Sequence, residues 1–475
     1  MSTTADQELK SVHDQLKRLI MDWAVDKIHD EDKARDLRRR AAGINHRRYR
    51  EKIPYYRKIC RMSDLDVEEP GFENILSHLM VTDDLFKSYP QSLIDTRDFA
   101  GMTDWLSRIG TVDPDHPDDK IENLDQWIEA LAAGGMNLVF SSGTSGNMSF
   151  VPRDNPTWDH FLKTPLTYLP LLVAEQGMIP GWKYALLKVL VKRISPDTFL
   201  GLADRFGRFF LKDFDGYFCN FSGGNQGIQL VGQEIGKYCG SSFFLYDMNL
   251  SPAAVRAIIR GAGTPEEQHL ADEFLRATVL NKEENYDRMI DALQKSVGRG
   301  RRVIIFGTPY LLLEICQKLK ARDIALKVRK GSGIIFGGGW KSFDGRRIPE
   351  AELIALLSET FGIEPRYVAE GYSMTEIHGL MLRCSHNHYH VPPHFETVIL
   401  DESLRPIEGD DVTGTLGIID PFAESYPGFL ITGDCVRRVN TPCACGRSGP
   451  MILSIERSAG REVKGCGGIM AKINA

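Results

Sequence analysis

Apolar positions change their period along the chain, and the changes divide it. Val12, Leu16, Ile20, Trp23 and Ile28 recur at near-helical spacing, which predicts a helical segment over residues 1 to about 60. Twelve Lys or Arg between Lys33 and Arg61 read as its solvated face, leading into a turn at Pro54-Tyr55-Tyr56. Ile128 and Leu131 lead into Asn137-Leu138-Val139-Phe140, a short buried strand, and a Gly/Ser/Thr loop follows at once. Residues 155–215 read as helical with one apolar face. Residues 216–250 are Gly-rich and carry Tyr217, Phe218, Phe221, Phe243 and Phe244; their pattern assigns no function.

From residue 302 strands and helices alternate. Arg302-Val303-Ile304-Ile305-Phe306 reads as a strand, then a helix from about Tyr310 to Lys320. Gly333-Ile334-Ile335-Phe336 is a second strand, ending in Gly337-Gly338-Gly339 and followed by a helix over Pro349 to Phe361. Pro365-Arg366-Tyr367-Val368-Ala369 is a third. Such alternation predicts a parallel sheet with right-handed crossovers, and ligands of such sheets sit outside the carboxyl ends of the strands. The loops after these strands should share one edge. After residue 395 the runs become short and β-like: Phe395 to Leu400, Gly414 to Ile419 and Gly428 to Ile431. The expected fold is α/β: a large domain of parallel-rich sheets flanked by helices, plus a small antiparallel or β-barrel-like subdomain.

Composition narrows the class. The 475 residues are 42% hydrophobic and 26% charged, ordinary globular values, and the net charge of −6 favours neither nucleic acid nor an anionic membrane. The uncharged stretch Ala130 to Pro152 is filled with Gly, Ser, Thr and Asn, and Thr164 to Ala174 is too short to span a bilayer, which needs roughly 20 apolar residues. Met1 to Lys10 has no apolar core of a secretory signal. Nine cysteines are too sparse for a disulfide scaffold, but five lie after residue 380, which points to a local metal or redox role. The expectation is a cytoplasmic, reduced protein.

The loop Ser141-Ser142-Gly143-Thr144-Ser145-Gly146-Asn147 follows a strand. Small residues let a backbone approach a ligand closely, and hydroxyls with free N–H groups wrap phosphate oxygens. The spacing is not that of a P-loop. This loop resembles the Ser/Thr-Ser-Gly-Thr-Thr/Ser-Gly motif of the adenylate-forming superfamily of acyl-CoA ligases, luciferases and synthetase adenylation domains. Tyr372-Ser373-Met374-Thr375-Glu376 resembles its Tyr-Gly-x-Thr-Glu motif, with Ser373 for Gly, and Thr432-Gly433-Asp434 its Thr-Gly-Asp motif. Gly337-Gly338-Gly339-Trp340-Lys341 sits where the superfamily has its adenine-contacting glycines. Asn147 to Asp154 and Phe306-Gly307-Thr308-Pro309 are similar to the acyl-protein synthetases of bacterial luminescence, and region 384–447 is similar to phenylacetate–CoA ligases.

The resemblance implies roles. Ser141, Ser142, Thr144, Ser145 and Gly146 would hold the β- and γ-phosphates of ATP. Gly338, Gly339 and Tyr372 would meet the adenine, Thr375 the α-phosphate, and Glu376 would ligate Mg²⁺. Asp434 would accept from the ribose hydroxyls, and Arg457 or Arg461 could join it. The superfamily's Pro-Lys is absent, Ser149 standing in that region, so Mg²⁺ or another cation, with Arg153 and Lys341 as candidates, would offset phosphate charge. Cys384, His390, Cys443 and Cys445 resemble a Cys…His…Cys-x-Cys set that would hold a structural Zn²⁺, with His386, His388 and His394 competing for the imidazole place.

By this reading residues 1–125 are a helical region, 126–385 the adenylation core, 386–456 the β subdomain with zinc, and 457–475 a hinge and tail. Ten residues follow Gly465, so the superfamily's C-terminal domain is expected to be largely missing; Lys464 and Lys472 are weak candidates for its lysine, and Cys466 for an acyl-accepting thiol. The implied activity is ATP-dependent activation of an aryl or fatty acid, with release of pyrophosphate and acyl transfer to a protein thiol, an amine or CoA. The alternatives are an aryl-CoA ligase and a non-catalytic nucleotide-binding partner. Expected partners are a small carboxylic acid and an acceptor protein or CoA, with no nucleic acid and no membrane span; a homodimer is left open. Tyr310, Trp340 and Phe244 hint at an apolar acyl pocket.

Overall fold

In a computed structural model of the chain, residues 4–458 are described apart from 64, 116–119, 143–146, 176, 197, 199–202 and 341–346; of 4, 142, 169–175, 203, 204 and 206 the backbone alone is described. The N-terminal apolar spacing does form helices, over Thr4–Asp26, Glu31–Lys52 and Pro54–Arg61. Val12, Leu16, Ile20 and Trp23 are buried, but Ile28 falls in the connection after the first helix and is 62% exposed. Pro54 opens the third helix rather than a turn, where its missing N–H costs nothing. The basic face is only partly solvated. Arg38 is buried, its Nε 2.6 Å from Glu396 and its Nη2 2.7 Å from Glu31.

A two-residue strand, β1 (Met80–Val81), precedes a hairpin of β2 (Met136–Ser142) and β3 (Met148–Asp154). The main sheet holds β4 (Phe214–Gly223), β5 (Ser241–Asn249), β6 (Arg302–Gly307), β7 (Gly333–Gly337), β8 (Val368–Tyr372) and β9 (Met381–Leu382), in the order β5-β4-β6-β7-β8-β9. All neighbours are parallel except β8 and β9. The expected parallel sheet is therefore present, and strands β4, β6 and β7 are buried almost throughout, which continuous apolar runs allow when helices cover both faces.

The aromatic stretch 216–250 supplies two of these strands. Tyr217 stacks on Phe243, Phe218 on Phe244 and Phe221 on Tyr246, each pair in register across β4 and β5. Phe244 is thus a half-buried ladder residue. Tyr310 is buried at the start of its helix. The third expected strand shifts by three residues: Pro365–Tyr367 is a 3-10 turn, because Pro365 cannot donate to a ladder, and β8 begins at Val368. Tyr372 accordingly ends a strand.

The second sheet contains β10 (Tyr389–His390), β11 (Glu396–Leu400), β12 (Asp411–Ile419), β13 (Phe429–Val439) and β14 (Met451–Arg457), ordered β10-β14-β13-β12-β11 and antiparallel. β1 joins it parallel to β13, Met80 opposite Leu430. The sheet is open, and the barrel-like expectation is corrected: β10 and β11 end the path without pairing. One continuous buried core runs from Leu9 to Ile452 through both sheets. Among the described residues no helix is long and apolar enough to cross a membrane.

Candidate active site

Parallel pairing puts the carboxyl ends of β4, β6, β7 and β8 on one edge. Backbone geometry there demands glycine. A Cβ on Gly337 would meet the carbonyl oxygen of Gly371 at 2.6 Å, and Gly338 and Gly339 have φ of 81° and 63°, in the left-handed region. The second sheet meets this edge at Tyr372. Tyr372 at the end of β8 donates its hydroxyl to Asp434 Oδ2 in β13 at 2.8 Å. Burial, then the carboxylate of Asp434, push the Tyr372 phenol well above its ordinary value, so it stays a donor. Arg457 Nη1 meets Asp434 Oδ1 at 2.8 Å, the two being cross-strand partners of β13 and β14. Four residues beyond Tyr372, Glu376 is 2% exposed and its Oε2 accepts from Thr375 Oγ1 at 2.8 Å.

Behind Glu376 lies a buried network whose parts had no local signature. Asp420 Oδ2 accepts from His378 N at 2.6 Å and from His378 Nδ1 at 2.9 Å, and Asp420 Oδ1 from Phe422 N at 3.0 Å. With Nδ1 holding the hydrogen, His378 Nε2 is an acceptor, and Arg153 Nε donates to it at 3.2 Å. Arg153 Nη2 donates to the carbonyl of Thr375 and, at 2.9 Å, to the hydroxyl of Tyr426, which donates to the carbonyl of Glu376 at 3.0 Å. Arg153, His378, Asp420 and Tyr426 are all fully buried. Burial drives Asp420 up, but His378 and its backbone N–H outweigh this and hold it below the usual carboxylate value. Burial lowers His378, so the imidazole bridges a carboxylate and a guanidinium as the neutral form. Arg153 also lies 4.1 Å over the Phe161 ring. It therefore grips the Thr375 carbonyl directly and the Glu376 carbonyl through Tyr426, rather than facing phosphates as expected.

Of the phosphate loop, Thr144, Ser145 and Gly146 lie outside the described residues, as do Lys341, Arg461, Lys464, Cys466 and Lys472, and the side chain of Ser142. Ser141 is opposite Ser149 in the hairpin, and their buried hydroxyls are 2.5 Å apart. Two features here were not anticipated. Arg260 Nη2 donates to Asn147 Oδ1 at 2.6 Å, bringing a guanidinium beside the loop. The turn after β4 packs on the motif: Phe140 N donates to Asn225 O at 2.9 Å, and a Cβ on Gly227 would lie 3.2 Å from Thr375 Cγ2. Gln226 in that turn is fully buried, yet among the described residues neither its amide oxygen nor its nitrogen has a partner. A Gly-Gly-Asn-Gln-Gly run was the available signal.

Cys384, His390, Cys443 and Cys445 come together, one donor atom of each lying within 4.8 Å of the others. Cys384 and Cys443 sulfurs are 3.8 Å apart, and Cys445 Sγ is 3.2 Å from His390 Nε2. The hydrogen bond from Cys384, then His390, hold the Cys445 thiol far down, as a thiolate. His388 Nδ1 lies 3.3 Å from Cys443 Sγ, and His386 is exposed. His394 is elsewhere, buried on Phe395 with Nε2 3.2 Å from the His378 carbonyl.

Comparison with known proteins covers part of this arrangement. Residues 277–474 match the family described as acyl-protein synthetase, LuxE. The resemblance to acyl-protein synthetases is borne out over that segment, which holds Tyr372 to Glu376, Asp434 and the four metal-type ligands. The chain is 26% identical over 200 residues to a long-chain-fatty-acid–luciferin-component ligase of Aliivibrio fischeri, spanning 41% of this chain and 52% of that protein. The corresponding ligase of Vibrio harveyi is 26% identical over 193 residues, 40% of this chain and 50% of its own. The chain thus spans about half the length of the curated relatives it matches. Among solved structures, an open conformation of 2-hydroxyisobutyryl-CoA ligase is similar at 11% identity and a TM-score of 0.46, covering 90% of this chain and 75% of that one. A luciferase-like enzyme from the mealworm Zophobas morio gives 13% identity, a TM-score of 0.33, and 74% and 61% coverage.

Proposed function

We propose that this chain activates a carboxylic acid with ATP. A carboxylate oxygen attacks the α-phosphorus, the bond to the bridging oxygen breaks, and pyrophosphate leaves an acyl-adenylate; the acyl group then passes to a protein thiol, an amine or CoA. The observation that carries the reading is the meeting of Tyr372, Asp434 and Arg457 beside Thr375 and Glu376 at the carboxyl edge of a parallel sheet. The relatives' names, fatty-acid ligases acting on a luciferin component, favour a fatty acid and a protein acceptor.

In this reading Asp434 accepts from the ribose hydroxyls, its carboxylate aimed by Tyr372 and Arg457; that ion pair favours Arg457 over Arg461 for this place. The Tyr372 ring, with Gly338 and Gly339, covers the adenine. Thr375 meets the α-phosphate. Ser141, Ser142, Thr144, Ser145 and Gly146 hold the leaving phosphates, and Arg260 supplies the cation that the missing lysine would provide. Glu376 suits a hard divalent cation, and Mg²⁺ when bound offsets phosphate charge there. Displacement at phosphorus depends mainly on positioning and charge stabilisation, so these groups supply most of what the step needs.

Cys384, His390, Cys443 and Cys445 suit a closed, four-ligand Zn²⁺ site that would tie the segment after Glu376 to the second sheet. Three soft sulfurs and one imidazole within bonding reach of a common centre support it.

Exchange of labelled pyrophosphate into ATP, screened over fatty and aryl acids with Mg²⁺, tests the activity. Acid-dependent exchange is expected; none with any acid would overturn the reading. A CoA thioester among the products would favour CoA as acceptor over protein.

A further inference from the structure

Three side chains from distant parts of the chain meet outside the cleft. His13 lies on the helix Thr4–Asp26, His160 on Asn155–Glu175, and Glu424 in the loop between β12 and β13. One donor atom of each lies within 4.8 Å of the other two. His13 Nε2 is 2.9 Å from the carbonyl oxygen of Pro421, which also accepts from Asn45 Nδ2 at 2.9 Å. A carbonyl only accepts, so Nε2 carries the hydrogen and the neutral ring presents its lone pair at Nδ1. That nitrogen faces Glu424 Oε1 at 3.5 Å, acceptor against acceptor, an arrangement that calls for a cation between them.

The surroundings fix these donors. Phe422 stacks flat on the His160 ring, centroids 5.0 Å apart at 7°, and meets the His13 ring edge-on at 4.8 Å. Arg48 Nη1 holds Glu424 Oε2 at 3.2 Å and shares itself with Asp6 at 3.1 Å, leaving Oε1 to face the histidines. An imidazole donating its second nitrogen to a backbone carbonyl, beside an oriented carboxylate, is the outer-shell pattern that metal ligands need. Glu424 keeps 19% exposure, which gives an ion and a water ligand a way in. Lys17 and Arg48 oppose a cation here; Asp14, 3.5 Å from Lys17, and Asp6 offset them.

We propose that His13, His160 and Glu424 form a binding site for a borderline divalent cation of the zinc, cobalt or nickel class. Two imidazoles and one carboxylate suit such ions, with water completing the shell. The ion fastens the N-terminal helix to the loop that carries Asp420 and Tyr426, and so braces the network behind Glu376. It is separate from the Cys384 cluster in ligands and in chemistry.

The test uses the full chain, stripped with a chelator and titrated with Co²⁺, in the wild type, His160→Gln, and Cys443→Ser with Cys445→Ser. A nitrogen and oxygen site gives weak visible bands without sulfur-to-cobalt charge transfer. Such bands, with about one equivalent bound, should persist in the double cysteine variant and vanish in His160→Gln, as linkage of metal to these ligands requires. Without metal, His160→Gln should melt where the wild type melts; Co²⁺ should raise the melting temperature of the wild type alone of these two through this site. Should the cysteine variant not fold, the equivalents lost between wild type and His160→Gln give the same reading. Equal Co²⁺ binding by wild type and His160→Gln, or no Co²⁺ bound by a folded cysteine variant, would overturn the proposal and leave a plain His13–Glu424 hydrogen bond.

Discussion

The hydroxyl of Tyr372 reaches Asp434 across the gap between two sheets, at 2.8 Å. One residue ends a parallel strand and the other lies mid-strand in an antiparallel one, so their contact registers the two halves of the cleft. Replacing Asp434 with Asn keeps the shape but removes the charge that Arg457 and Tyr372 aim. A charged hydrogen bond contributes about 1.5–3 kcal/mol, so KM for ATP in pyrophosphate exchange should rise by roughly 10- to 100-fold. Unchanged KM would mean that Asp434 serves the sheets alone.

Arg153 joins Asp420 to the carbonyls of Thr375 and Glu376 through His378 and Tyr426. Arg153→Met fills the volume but leaves His378 Nε2, the Thr375 carbonyl and the Tyr426 hydroxyl without their donor. A buried acceptor left unmatched costs about 1–3 kcal/mol, and chemical denaturation should register a loss of at least that order. Tyr426→Phe removes the bond to the Glu376 carbonyl and the acceptor for Arg153 Nη2, which keeps its bond to the Thr375 carbonyl. It should stay folded, and its exchange activity should need more Mg²⁺ than the wild type; an unchanged Mg²⁺ dependence would argue that the network does not aim Glu376.

This network explains where sequence reading stops. Strands β6 and β7 were legible because Val303-Ile304-Ile305-Phe306 and Ile334-Ile335-Phe336 are buried on both faces and read as apolar runs. The motif residues were legible because each sits in a short local pattern. Arg153 also sits in such a run, Asn147 to Asp154, but its role was not legible: its partner His378 lies 225 positions away, and an arginine is expected at the surface until its partners are known. The strands at 214–249 were hidden by glycines and aromatics that make sense only as facing rungs. Pro365 looked like the start of a strand, since the step before a proline is extended, but its ring takes the place of a ladder donor and delays the strand to Val368.

Gln226 is a buried amide with no partner for either end among the described residues. Unmatched groups of this kind cost about 1–3 kcal/mol, and a cost retained beside Thr375 suggests a bound molecule that satisfies it. Gln226→Met should raise the melting temperature by a few degrees while lowering exchange. Higher stability with unimpaired exchange would show the amide to be idle.

Removing one ligand from the Cys384 cluster separates structure from catalysis. Cys443→Ser, or a strong chelator, should release zinc and lower the melting temperature by several degrees, because the segment after Glu376 loses its tie to β14. Wild-type protein purified in zinc and holding none at this set would refute the assignment.

Asp125 gives the pH dependence a sign. It begins the helix Leu124–Ala133 and accepts from Ser251 and the Ala253 N–H at the start of Pro252–Arg260. Burial raises its pKa from 3.8 to about 6, against the pull of those two hydrogen bonds and with a further push from Glu129. The folded chain therefore holds a proton that the unfolded chain has lost, between about pH 4 and pH 6. Its contribution is full below pH 4 and fades as pH rises through 6, amounting to a loss on the order of 3 kcal/mol. Asp125→Asn mimics the protonated form. Unfolding free energies measured from pH 4 to 8 should fall less steeply in the variant, and matching slopes in the two proteins would place the Asp125 carboxyl at its ordinary value.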